Sequence, residues 1–265
     1  MTLLARIVPL GGITRPGRLF ERNLMVYRRT WMVLFSGFFE PLFYLLGIGF
    51  GIGSLVGTVT GLDGRPIPYQ VFVAPALLAS AAMNGAIYDS TTNVFFKLKY
   101  AHTYEAVLTT PVGVPDVAVG EIAWALFRGT LYAIGFLAVM LVLGLVQSPA
   151  WLLALPGSIL IGFAFASVGM ALSTWIRKWA DFDKMQLVLL PMFLFSATFY
   201  PITVYPPALQ VVVQLTPLYH GVDLLRGLTT GTLGLAQAID VAYLAVMGVI
   251  GLAVVSRRLA RLLLR

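Results

Sequence analysis

Residues 121–176 read EIAWALFRGTLYAIGFLAVMLVLGLVQSPAWLLALPGSILIGFAFASVGMALSTWI, two long apolar runs joined by the turn QSPA at 147–150. The hydrocarbon core of a bilayer is about 30 Å thick and needs about 20 apolar helical residues to cross. Each run is long enough, and only Glu121 and Arg128 in the whole stretch carry charge. The segment therefore reads as two membrane-crossing helices, over 121–146 and 151–176.

The rest of the chain follows the same pattern. Of its 265 residues, 59% are hydrophobic and 11% charged, where a soluble domain carries about 25% charged residues. Further spans are expected at 31–53, which ends in the glycine-rich GIGFGIG, and at 69–93, 185–201 and 236–255. Those six spans leave only short loops and no separate soluble catalytic domain, so the chain is predicted to be an all-α polytopic membrane protein, a single transmembrane domain over 1–265. The first 30 residues lack an apolar core followed by a small-residue cleavage site, so they do not read as a signal peptide. Pro16 is placed to open a helix over 14–30 in which Phe20, Leu24, Tyr27 and Trp31 recur at helical spacing, with Arg18, Arg22 and Arg29 largely on the other side. A three-turn pattern of this kind favours an amphipathic helix in the headgroup plane over a simple positive flank. Before the last span, 202–228 is apolar but broken by Pro206, Pro207, Pro217 and glycines. Its helical pieces, 208–216 and 218–228, are too short to cross and read as a re-entrant or interfacial pair.

Basic residues orient this arrangement. The N-terminal stretch, the loops after spans two and four and the C-terminal tail hold fifteen of the 18 Lys and Arg residues, against Arg65 and Arg226 on the other side and Arg128 within a span. The positive-inside rule then places both termini in the cytoplasm. The net charge of +7 is thus explained by topology rather than by nucleic acid.

Much chemistry is excluded or disfavoured. With no cysteine there is no disulfide, thiolate nucleophile or Cys-ligated metal, and His102 and His220 are too far apart in sequence to suggest a metal centre. None of the four lysines follows a glycine, so the Gly-Lys-Ser/Thr core of a phosphate-binding loop is missing and no nucleotide cofactor is expected on this chain. No Gly-x-Ser-x-Gly elbow is present, and His220 with Asp223 reads as a solvated pair on one helix face. Glu40, Asp89, Arg128 and Asp240 fall within or near the ends of spans. Each should face protein or water, because a charge at mid-helix costs about 2.5–3.5 kcal/mol on insertion scales. Only Glu40 lies appreciably deep, which leaves open both an ion-coupled carrier and a structural carboxylate bonding a neighbouring helix end.

After span two, residues 101–110 can form a short amphipathic helix with Tyr104, Val107 and Leu108 on one side, stopped by Pro111 and Pro115. Three stretches in order, EPLFYLLGIGFGIG (40–53), TYEAVLTTPVGVPDVAVGE (103–121) and LLPMFLFSATFYPITVYPPALQVVVQLTPLYHGVDLLRG (189–227), resemble the membrane subunit of ABC type-2 transporters. The second resembles that family's Glu-Ala-x-Leu-x-Thr-Pro coupling segment, and the third its Phe-Tyr-Pro…Pro-Leu-x-His/Tyr…Leu-Arg signature. Within the family the similarity is greatest to permeases that export nodulation lipochitooligosaccharides, with daunorubicin-type drug exporters next.

The resemblance implies roles for particular residues. His102, Thr103, Tyr104, Glu105, Leu108 and Pro111 would belong to a coupling helix seated on a separate ATPase subunit, which would bind ATP and Mg. Arg18, Arg22 and Arg29 would lie on the interfacial helix, and Phe199, Tyr200, Pro201, Pro217, Tyr219 and His220 would form the outer gate. Spans one and five would line the interface with a second copy or a homologue. Glu40-Pro41 matches an acidic-Pro pair of the closest subgroup. The implied function is ATP-driven export of an amphipathic substrate, such as a glycolipid, a lipo-oligosaccharide or a hydrophobic drug. An ion-coupled secondary transporter is the alternative, and a lipid-modifying enzyme using His220 and Asp223 is a third class.

Overall fold

The computed structural model describes residues 14–28 and 39–263. The protein is an all-α polytopic membrane protein with one small β-hairpin. Among the described residues five helices are long and apolar enough to cross a bilayer: α2 (Phe39–Val56), α3 (Tyr69–Lys99), α5 (Val114–Val142), α6 (Pro149–Ser173) and α10 (Leu235–Leu263). Helix α1 (Thr14–Tyr27) precedes them, the hairpin β1 (Thr58–Thr60) and β2 (Pro66–Pro68) joins α2 to α3, and the short α4 (Thr103–Leu108) lies between α3 and α5. Helices α7 (Asp181–Phe195), α8 (Pro207–Gln214) and α9 (Pro217–Thr230) complete the series.

Several boundaries depart from the hydropathy reading. Helix α3 does not end near Asn93 but runs to Lys99, because Lys97 is buried and neutralised rather than solvated in a loop. Its geometry loosens to a π-helical turn over Asp89–Asn93, where the Ser90 and Thr91 hydroxyls donate to the Ile87 carbonyl at 3.3 and 2.5 Å. Such side-chain bonds compete with the backbone ladder. Helix α5 starts at Val114, with Pro115 in its first turn, where a missing N–H costs nothing, and the Asp116 carboxylate accepts the Gly113 N–H at 2.8 Å. Helix α10 absorbs most of the basic tail. There Arg258 donates to Thr174 at 2.8 Å and lies 3.7 Å over the Trp175 ring.

The expected fifth span is the 15-residue α7. At 1.5 Å per residue it rises about 22 Å, short of the hydrocarbon core. The chain then turns at Ala197, whose φ of 55° is left-handed.

Helix α3 is the axis of the fold, buried along most of its length against α5, α6 and α9. Close approach depends on missing side chains. A Cβ on Gly251 of α10 would sit 2.8 Å from the Ser167–Val168 backbone of α6, and one on Gly85 of α3 would sit 2.9 Å from the Tyr132 ring of α5. Small residues serve this purpose between membrane helices, where packing rather than water exclusion drives association. By contrast α2, α7 and α10 expose large apolar side chains, Phe43, Leu187 and Ile250 among them. These faces suit lipid or another subunit.

Helices α8 and α9 leave and return to one end of the bundle. The Phe199 carbonyl accepts the Tyr69 hydroxyl at 2.9 Å, and the Thr229 carbonyl accepts the Gln147 N–H at 2.9 Å, both at the end that carries the hairpin. Between them the turn dips along α10, where the Leu215 carbonyl accepts the Tyr243 hydroxyl at 3.0 Å.

Candidate functional site

At the end opposite the hairpin, α1 lies across the start of α5. Leu19 is buried against Gly120, where a Cβ would stand 2.9 Å from its own, and Phe20, Tyr27, Trp124 and Phe127 form an aromatic cluster with neighbouring centroids 5.1–5.6 Å apart. Beneath it the Lys97 ammonium of α3 reaches both Glu121 oxygens of α5 at 2.7 and 2.9 Å and Asn23 Oδ1 of α1 at 3.0 Å. Asn23 Nδ2 donates to Glu121 at 3.2 Å. Three helices are thereby pinned by one buried cluster, and a fourth contributes beside it: α4 sends Tyr104 inward, fully buried. Burial and the neighbouring Glu121 carboxylate push the Tyr104 hydroxyl well above its ordinary pKa.

This burial means that Tyr104 belongs to the protein's own interior and does not present its ring to a partner. Exposed on α4 are Glu105, whose carboxylate meets His102 Nδ1 at 2.9 Å, and the following Thr109, Thr110 and Pro111, while Thr103 and Leu108 are half-buried. Between α1 and α4 opens a groove of about 470 Å³ lined by Arg18, Arg22, Thr103, Val107 and Thr110. Arg18 and Arg22 are thus brought beside the α4 segment, whereas Arg29 lies outside the described residues.

A second cavity, of about 540 Å³, opens on the side of the bundle between α2, α3, α5 and α7. Glu40 and Tyr44 of α2 face Asn84, Tyr88, Thr91 and Thr92 of α3 across it. Arg128 and Tyr132 of α5 line it too, and α7 closes it with Phe182, Gln186, Leu189 and Phe193. Arg128 is buried midway along α5: its Nη1 donates to Asp89 Oδ1 at 2.6 Å and its Nη2 to the Tyr132 hydroxyl at 2.6 Å. A guanidinium inside an apolar span persists when a carboxylate shares its burial, as here. Glu40 is exposed to the cleft and forms no ion pair among the described residues.

The remaining residues gather at the hairpin end. The Phe199 ring packs edge-on to Phe193 at 5.3 Å, Tyr200 lies 5.2 Å from Tyr205, and Pro201 is half-buried between them and the short 3-10 turn Ile202–Val204. Pro217 opens α9, followed by the half-buried Tyr219 and His220. His220 and Asp223 are not a solvated pair. The His220 Nδ1 meets Asp240 Oδ1 at 2.7 Å and its ring stacks on Tyr243 at 3.9 Å, while buried Asp223 accepts from Gln237 at 3.0 Å. Nor is Arg226 a loop cation: fully buried, it donates to the Phe72 and Ala197 carbonyls at 3.2 and 2.9 Å and lies 3.7 Å over the Phe72 ring.

Sequence reasoning missed the Lys97–Glu121–Asn23 cluster altogether. It found Asp89 and Arg128 singly, although opposite charges placed within two spans are themselves a signal that they pair.

A helical membrane bundle with a largely apolar lateral cleft and an amphipathic helix beside a short connecting helix has the features of a membrane transport protein. The sequence pattern of the ABC-2 type transporter family matches residues 17–229. The chain belongs to that family. It is 31% identical to nodulation protein J of Rhizobium leguminosarum bv. viciae over 260 residues, 96% of this chain and 98% of that one. Nodulation protein J of Rhizobium meliloti (strain 1021) is 31% identical over 215 residues, 80% of each chain. The inner membrane transport permease YadH of Escherichia coli (strain K12) is 23% identical over 234 residues, 88% of this chain and 87% of that one.

Proposed function

We propose that the chain is the transmembrane subunit of an ATP-driven exporter, moving an amphipathic substrate from the inner leaflet or cytoplasm outward with energy from a separate ATPase. One observation carries this reading: α1 and α4, which wall the groove, meet through Asn23 and Tyr104 the Lys97–Glu121 pair of α3 and α5, the helices that also wall the lateral cleft. A push on α4 is thereby delivered through Tyr104 and the Lys97–Glu121–Asn23 cluster to the helices that wall the cleft. The family supports the kind of partner, since ABC-2 permeases work with ABC ATPase subunits.

In this arrangement the α1–α4 end is cytoplasmic, in agreement with the concentration of basic residues there. The ATPase docks on the groove through Arg18, Arg22, Thr103 and Glu105, and binds the ATP and Mg. A sixth crossing consists of α7 completed by the segment after it, and α8 and α9 form a re-entrant pair closing the outer end near Tyr200 and His220. The exposed faces of α2 and α7 meet a second copy or a homologous permease, so that two clefts adjoin.

The test is to solubilise tagged protein gently from its native membrane and identify what accompanies it. An ATPase in about 1:1 ratio, lost on Arg18→Glu or Glu105→Arg while the permease stays folded, is the expected result. A chain that purifies without any nucleotide-binding protein, and transports in response to an ion gradient with no ATP present, would replace this reading with the ion-coupled carrier.

A further inference from the structure

We infer that the lateral cleft selects hydrophobic cations, with Glu40 as the charge that recognises them. The inference rests on the cleft being the substrate site proposed above, and it follows from where each charge at the cleft is spent. Arg128 is committed twice over, to Asp89 at 2.6 Å and to the Tyr132 hydroxyl at 2.6 Å, and its plane lies within 5.4 Å of the Tyr27 ring centroid. Its positive charge is cancelled by Asp89, which is buried with it. Glu40 is the other charged residue lining the cleft, and among the described residues nothing neutralises it. Among the described residues the cleft therefore carries one uncompensated negative charge.

The walls add the second half of the argument. Tyr44, Tyr88, Phe182 and Phe193 present aromatic rings, and Met185 and Leu189 present apolar side chains. Ring faces attract cations, more strongly where water is excluded. An anionic ligand would meet Glu40 and find the Arg128 guanidinium already paired. A neutral one would leave the carboxylate unmatched. A cation with apolar substituents satisfies both the carboxylate and the walls, and Asn84 and Gln186 can accept hydrogen bonds from any donors it carries.

The test uses two rigid ions of nearly equal shape and opposite charge, tetraphenylphosphonium and tetraphenylborate. Binding to the full-length chain in lipid nanodiscs, together with whatever ATPase co-purifies, is measured by equilibrium dialysis without nucleotide. The expected result is phosphonium binding at least tenfold tighter to wild type than to Glu40→Gln, largely restored in Glu40→Asp, with borate binding wild type no better than Glu40→Gln. Equal phosphonium binding by wild type and Glu40→Gln would overturn the inference. So would borate binding to wild type as tightly as phosphonium once uptake by empty nanodiscs of the same lipid is subtracted for each ion, a comparison that stands even where the variants fail to assemble. Co-purification of the ATPase is scored separately. An associated ATPase with no Glu40-dependent binding removes the cation site and leaves the exporter; Glu40-dependent binding by a chain that never meets an ATPase does the reverse.

Discussion

Removing Lys97 alone should damage the protein far more than removing its charge together with that of Glu121. The ammonium lies 2.7 Å from Glu121 Oε2 in a site where the two side chains are 9% and 1% exposed. At an effective dielectric constant of about 20, unit charges at that distance attract by about 6 kcal/mol. Burying both ions costs several kcal/mol each, so the pair adds little net stability. What it does is make each charge intolerable alone.

Lys97→Met leaves the buried Glu121 carboxylate without its ammonium, bonded to Asn23 Nδ2 at 3.2 Å, and breaking a buried pair from one side costs about 3–5 kcal/mol. Glu121→Gln strands the ammonium similarly. The double variant, by contrast, retains an amide that can bond Asn23 and should unfold within about 1–2 kcal/mol of wild type, as buried pairs replaced together commonly do. The assay is a double-mutant cycle of reversible unfolding in mixed micelles, and the expected coupling energy is about 3 kcal/mol or more. Additivity of the two single changes to within about 0.5 kcal/mol would refute the argument, because it would mean that the two groups do not share one desolvated site.

Two glycine changes should act with opposite sign. Gly251→Ala drives a methyl to 2.8 Å from the Ser167–Val168 backbone, which cannot rotate away, so overpacking of about 1–3 kcal/mol should outweigh the propensity gain; Gly17→Ala on α1 meets nothing within 4 Å and should stabilise by up to about 1 kcal/mol, both read by thermal unfolding in detergent. A pH response should localise to the start of α7. The Lys184 ammonium at 2.7 Å and the backbone N–H groups of Arg177 and Lys178, each at 3.1 Å, hold the Asp181 carboxyl well below the usual carboxylate range. A depressed pKa stabilises the folded turn above the ordinary aspartate value, and that stabilisation is lost only as pH falls toward the lowered pKa. Amide exchange at Arg177 and Lys178 should therefore stay protected from neutral pH down through the ordinary aspartate range. Asp181→Asn should lower the protection factors of those amides and make them independent of pH across the same range.

The parts of the fold visible in the sequence are those decided by single-helix arithmetic. The apolar run from Gly129 to Val146, extended back through Arg128 to Glu121, is long enough to lie in a bilayer whatever its neighbours do, and a pair of prolines at 206 and 207 must break a span. Glu40 was legible for the same reason, since a carboxylate set among apolar residues identifies itself. The charges that hold the site together could not be read that way. Hydropathy counts Lys97 and Arg226 as residues that need water, and so ends a span before the first and sets the second at the outer surface; the structure instead meets the need with Glu121, 24 residues away, and with the carbonyl of Phe72, 154 residues away. The Asp89–Arg128 pair is the instructive intermediate. Both residues were found, but their pairing depends on the axial register of α3 against α5. That register is set where a Cβ on Gly85 would come within 3.4 Å of the Gly129 backbone, one residue beyond Arg128. Two glycines thus allow the close approach of α3 and α5 at which the guanidinium meets its carboxylate in the wall of the lateral cleft. A glycine carries no hydropathy signal for such a role, and that is why the cleft was invisible before the helices were packed.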